Sequence, residues 1–238
     1  MTAIKEVGFD ATMLWWDSDD KHIQPALAKR IGLEVENIHA PFKNANSFWL
    51  QGEEGEDYLN LLMDCVQDCT QYSIPTVVVH ITGFSDPPEI SQIGIDRVEK
   101  LIASAEKNCV NLAFENLSFL QHLDGIFDNF KSDRVGFCYD SGHENWNHPD
   151  ANCLLKYGDR LMALHLDDNF GNADTHLLPY DGNVDWEKVK CDLKKCKELE
   201  YISLEVDFNS SSKESEIYRN LSGLEFLQKA YERAKMLL

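Results

Sequence analysis

Short apolar runs recur along this chain, and each is followed by a polar stretch and then a segment with helical periodicity. The runs cover residues 11–16, 35–39, 76–81, 110–115, 135–140, 161–166 and 201–206. Near-continuous hydrophobicity over about six residues suits strands buried on both faces, as in a parallel sheet covered by helices. The intervening segments carry apolar residues at helical spacing. Residues 57–72 align Leu61, Leu62, Cys65, Val66 and Cys69, and residues 90–108 repeat Ile93, Val98, Leu101, Ile102 and Ala105. Residues 185–199 and 213–237 read as amphipathic helices too. Seven strand–helix alternations imply right-handed crossovers in one parallel sheet. At 238 residues a single barrel domain over residues 1–238 is favoured over an open doubly wound sheet. No GxGxxG or Walker A sequence argues for the open nucleotide-binding folds.

A (β/α)₈ barrel has eight strands, one more than the runs found here. Residues 2–7 read as the end of a helix leading through Gly8, Phe9 and Asp10 into the first run. The expectation is a TIM barrel that lacks the usual first strand and most of its helix. It would be either an open seven-stranded barrel or the product of a start placed late.

The strand ends carry a restricted set of residues. "VENIHAPF" ends its run in His39, "TVVVHITGF" in His80 and "VNLAFENL" in Glu115. "VGFCYDSGH" supplies Asp140 and His143, "MALHLDDN" supplies His165 with Asp167 and Asp168 beyond it, and "YISLEVD" supplies Glu205. Asp174 and His176 lie in the loop "ADTHLLPYDGNVDW". In a parallel barrel these C-terminal strand ends converge on one rim. Buried carboxylates and imidazoles need partners, and a divalent cation satisfies several at once.

These motifs, with "GFDATMLW", closely resemble the xylose isomerase-like TIM barrels, which include sugar phosphate isomerases/epimerases and the endonuclease IV-type enzymes of AP endonuclease family 2. The resemblance implies a metal-dependent isomerase or epimerase acting on a sugar, sugar phosphate or polyol. It implies a divalent metal (Mn, Mg, Co or Zn) on Glu115, Asp140, His165 and Glu205. Glu115 and Glu205 would be the acid–base pair, and His143 a substrate-side residue or a further metal ligand. Family members normally carry one more βα unit before "GFDATMLW", and that unit tends to add a substrate contact. The DNA-repair branch implies a different use of the same positions, with three zinc ions. His39 and His80 would join Glu115 at one ion, and His143, Asp174 and His176 would hold another. A degenerate barrel that binds metal without turnover is the third reading.

The formal charge of −19 argues against a nucleic-acid substrate, because affinity for polyanions comes largely from Lys and Arg. Lys43 is the main rim cation, which favours an unphosphorylated carbohydrate. Trp15, Trp16, Phe42, Phe48, Trp49, Phe84, Trp146 and Phe170 lie at or beyond strand ends, as sugar-stacking walls or as loop packing. Asp185 reads as an N-cap, and Trp186 as the anchor of the helix it starts. Seven scattered cysteines without a CxxC read as reduced thiols. No run is long enough to span a bilayer, and no signal peptide is evident, so a cytoplasmic protein is expected. Homo-oligomerisation would be consistent with the family.

Overall fold

The computed structural model describes residues 1–208 and 212–238. In chain order the strands are β1 (Ala11–Trp15), β2 (Glu34–His39), β3 (Thr76–Val79), β4 (Asn111–Glu115), β5 (Val135–Asp140) and β6 (Leu161–His165). The α-helices are α1 (Thr2–Val7), α2 (Gln24–Ile31), α3 (Glu53–Tyr72), α4 (Gln92–Asn108), α5 (Leu120–Asn129), α6 (Ser141–Asn147), α7 (Cys153–Tyr157), α8 (Trp186–Leu193) and α9 (Gly223–Leu237). The chain forms two compact units. A central unit comprises Met13–Pro25 and Val35–Cys138, and a terminal unit comprises Met1–Thr12, Ala26–Glu34 and Tyr139–Leu238.

In the central unit the strands follow one another in chain order. His39 is paired with Val78, Val79 with Phe114, and Glu115 with Cys138, all parallel. Every residue of β3 is buried, as expected for a strand covered on both faces. Helix α3 starts with Glu53, Glu54 and Glu56, whose charges favour the positive end of the helix dipole. It buries Tyr58, Leu59, Leu62, Cys65, Val66 and Cys69. Ser91 caps α4 by accepting from Gly94 N–H at 3.2 Å. Gly94 itself lies so close to the Trp49 indole that a Cβ would sit 2.1 Å from it. Together these contacts lock the helix start against the buried β2–α3 loop.

In the terminal unit, Leu177, Leu178, Tyr218, Phe226 and Ala230 form a core against which Phe9 and Leu204 pack. Helix α9 begins at a capping box between Ser222 and Glu225.

The structure corrects three expectations. Residues 201–206 do not form a regular strand; one parallel bridge joins Leu204 to Leu166. Six strands therefore occur among the described residues, against seven apolar runs. The segment 213–237 is a 3₁₀ turn (Glu214–Tyr218) followed by α9, because the Ser222 cap restarts the helix. Helix α8 stops at Leu193, short of residue 199, and Lys197 N–H then bonds to the Gly158 carbonyl at 2.9 Å. All seven cysteines are free; Cys65, Cys69, Cys138 and Cys153 are buried. No helix is long and apolar enough to cross a membrane among the described residues.

Candidate metal and active site

In the central unit, β2 and β4 end in His39 and Glu115, and His80 directly follows the last residue of β3 between them. The parallel register brings these residues side by side. His80 Nε2 lies 3.2 Å from His39 Nε2 and 3.0 Å from Glu115 Oε2, and His39 Nε2 lies 3.5 Å from the same oxygen. His39 Nδ1–H donates to the Ala40 carbonyl at 2.8 Å, which leaves its Nε2 with a lone pair. Such a backbone bond is the usual way to orient a metal-binding imidazole. All three side chains are buried, and their donor atoms lie within 4.8 Å of one another, so the donor set fits a divalent ion.

Aromatic rings enclose this cluster. Trp15 lies 4.3 Å from the His39 ring, and Phe42 stacks on His80 at 4.7 Å. Phe84 meets His80 edge-on at 5.8 Å. Trp15 and Phe42 are partly exposed, so they can also face a ligand. Trp16, Phe48 and Trp49 are core residues instead, which resolves their sequence reading towards packing. Lys43 is exposed on the β2–α3 loop.

The terminal unit holds the remaining sequence-predicted residues. Asp140 ends β5 and caps α6; its Oδ1 accepts the His143 N–H at 2.6 Å. His165 ends β6, and its Nδ1 lies 2.7 Å from Glu205 Oε2. Glu205 reaches this position because its N–H bonds to the Leu166 carbonyl beside the Leu204 bridge. One oxygen of Asp174 joins two imidazoles, His143 Nε2 at 3.3 Å and His176 Nε2 at 3.1 Å. His176 Nδ1–H donates to the Glu205 carbonyl at 3.1 Å.

The electrostatics of this group follow from burial and pairing. Burial opposes a charged His176, but Asp174, Glu205 and Asp167 overcome it and hold the imidazole up to about 11. Burial also opposes a charged Asp174, yet the bonds from His143 and His176 keep its carboxyl below the usual range. A cation bound by Asp174 and His176 would therefore release a proton.

Sequence reasoning did not include Asp167 and Asp168 among the site residues. Asp167 Oδ1 accepts the Gly142 N–H at 2.9 Å, and its backbone carbonyl and N–H both bond to Ser141 Oγ. A Cβ on Gly142 would lie 2.5 Å from both Asp167 oxygens, so only glycine allows this approach. These contacts seat the "DSGH" turn, and with it His143, on the end of β6. A strand-end acid beyond a histidine was the available signal for Asp167, but its buried partner could not be read from spacing.

Burial, and then the nearby Asp140 charge, push the Asp167 carboxyl well above the carboxylate range. Below the unfolded-state value near 3.8 both states are protonated and Asp167 costs nothing. Above it the unfolded chain loses its proton first, so rising pH favours unfolding until the folded-state value is passed. Asp167→Asn should therefore stabilise the metal-free protein by about 1–2 kcal/mol near neutral pH. Urea midpoints measured in EDTA at several pH values check this, and the gap to wild type should widen from pH 4.5 upwards. A gap that narrows would contradict it.

An uncharacterized protein of Sinorhizobium fredii, y4fM, is 32% identical over 145 residues, covering 55% of this chain and 47% of that protein. The match thus spans about half of that relative's length. An uncharacterized protein of Methanocaldococcus jannaschii, MJ1311, is 25% identical over 223 residues, covering 84% of this chain and 75% of that one. Among solved structures, an IOLI protein with a bound zinc atom superposes with a TM-score of 0.78 at 19% identity, covering 99% of this chain and 90% of that one. A D-tagatose 3-epimerase-like protein gives 0.71 at 21%, covering 98% and 94%. L-ribulose 3-epimerase gives 0.74 at 18%, covering 98% and 86%. At these identities the likeness is one of fold. Residues 1–230 match the sequence pattern of a single family, and the chain belongs to it: the xylose isomerase-like TIM barrels.

Proposed function

We propose that this protein is a divalent-metal-dependent isomerase or epimerase of a small carbohydrate. The observation that carries the reading is the pairing of His165 with Glu205 at 2.7 Å beside the Asp140–His143 turn. It occurs in a chain of the xylose isomerase-like family whose fold resembles those of a D-tagatose 3-epimerase-like protein and L-ribulose 3-epimerase. The ligands in this reading are Glu115, Asp140, His165 and Glu205, the set that the family pattern implies. When bound, the ion would stabilise negative charge developing on the substrate carbonyl oxygen.

The remaining chemistry belongs to the side chains. One glutamate takes the proton from the carbon next to the carbonyl, and the C–H electron pair moves into a C=C bond as the oxygen gains charge. The other glutamate returns a proton to the opposite face, which inverts that carbon. His143 orients a substrate hydroxyl. The partly exposed Trp15 and Phe42 offer apolar faces suited to sugar C–H groups, and the scarcity of rim cations favours an unphosphorylated substrate. A cytoplasmic location and homo-oligomerisation belong to the same reading.

The His39–His80–Glu115 cluster favours a second reading, a multi-zinc phosphodiesterase like the endonuclease IV-type enzymes. The charge of −19 opposes a DNA substrate in that case.

Metal analysis of the purified protein, with epimerisation assays on ketoses, distinguishes the two. Expected are about one divalent ion per chain and an activity lost to EDTA and restored by Mn or Co. About three zinc ions with cleavage of abasic-site DNA would establish the phosphodiesterase instead. Failure to bind any added metal would sink both.

A further inference from the structure

The residues 169–186 carry Asp174 and His176, yet the local chain does not favour the conformation they adopt. His176 has φ +49° and Tyr180 φ +72°, both in the left-handed region that disfavours side chains other than glycine. Such backbone persists only where surrounding contacts over-determine it.

One side chain supplies four of those contacts. Asp168 is fully buried just past β6. Its Oδ1 accepts from Asn169 N–H at 2.9 Å and Val184 N–H at 3.0 Å. Its Oδ2 accepts from Tyr180 N–H at 3.0 Å and from the Trp186 indole N–H at 2.8 Å. The Asp168 backbone pairs antiparallel with Leu177 through bonds of 2.9 and 2.8 Å. Gly182 passes so close that a Cβ there would lie 2.3 Å from Asp168 Oδ1. A single carboxylate therefore ties the beginning, the middle and the end of the segment to the end of β6.

We propose that Asp168 is a positioning residue. It touches neither substrate nor metal, and it holds the 169–186 segment so that Asp174 and His176 stay against His143. The functional half of this inference rests on the proposed metal-dependent activity; the structural half does not.

Asp168→Asn tests it. The amide keeps the volume but replaces one acceptor oxygen with a group that donates, opposite N–H groups that also donate. Hydrogen exchange of the segment's amides should accelerate about tenfold, while β3 and β4 amides stay unchanged. Because His143 orients the substrate hydroxyl and would lose its Asp174 partner, kcat/KM should fall about 10–100-fold, mainly through KM, the range typical of groups that orient functional side chains from behind. Unchanged exchange in the segment would overturn the proposal. Accelerated exchange with unchanged kcat/KM and KM would also overturn it, leaving Asp168 purely structural. If Asp168→Asn does not fold, Trp186→Phe removes one of the four donors and should give smaller changes of the same sign; no change would count against the proposal. A wild-type protein that binds no metal and turns over no ketose defeats the functional reading, while the exchange result still decides whether Asp168 holds the segment.

Discussion

Glu205→Gln should lower kcat by about 10²–10⁴-fold and leave the folded structure in place. Glu205 is largely buried, with Oε2 2.7 Å from His165 Nδ1. Its backbone is held independently: its N–H bonds to the Leu166 carbonyl, and its carbonyl accepts from His176. Glutamine preserves the volume and those backbone bonds, and its amide can still face His165. What it cannot do is accept and return a proton, or bring a negative charge to a cation. The expected result is an unchanged circular dichroism spectrum and a thermal midpoint near wild type, with turnover reduced to a trace. Activity within a few-fold of wild type would refute the acid–base role. The test needs the metal-loaded protein, because loss of the ion and loss of the base would otherwise look alike.

Arg97→Ala should destabilise the protein by about 3–5 kcal/mol. Arg97 is 1% exposed on α4. Its Nη1 donates to the carbonyls of Phe48 and Leu50 at 2.8 and 2.7 Å, and more weakly to Ser47 at 3.3 Å. Its Nε and Nη2 donate to Glu56 Oε1 at 3.1 and 3.0 Å. The Glu56 side chain is about half exposed, so the ion pair itself contributes little. The cost comes from stranding buried carbonyls and leaving a void where the guanidinium lay. Gly55 has already made room for that group, since a Cβ there would sit 2.4 Å from Nη1. Lysine should recover less than half of the loss, because one ammonium cannot span Glu56 and two carbonyls. Urea midpoints with an unchanged m-value check this. The same loop begins with Phe42 against His80, so the loosened variant should also perturb the histidine cluster.

Much of this was legible in the sequence. β3 and β5 announce themselves as unbroken apolar runs, because both faces of a parallel strand are covered and no polar alternation interrupts them. The ends of the runs that form β2 to β6 placed His39, His80, Glu115, Asp140 and His165 at or just past a strand end. The Asp185 cap was readable from its own residue type; its side chain accepts the Lys188 N–H at 3.0 Å. Residues 201–206 have the composition of a strand, yet a strand is made by its neighbours, and only Leu204 has a bridging partner.

What the sequence by itself determined is therefore which residues stand at the strand ends, since a strand's period and burial are local properties of its residues. The tertiary structure alone decided how those groups are held. Asp168 bonds across sixteen and eighteen positions to Val184 and Trp186, and Asp167 meets Gly142 across twenty-five. Arg97 reaches back about fifty residues to the loop carbonyls. No periodicity encodes such contacts. They exist because a buried polar group must find a partner wherever the folded chain happens to bring one.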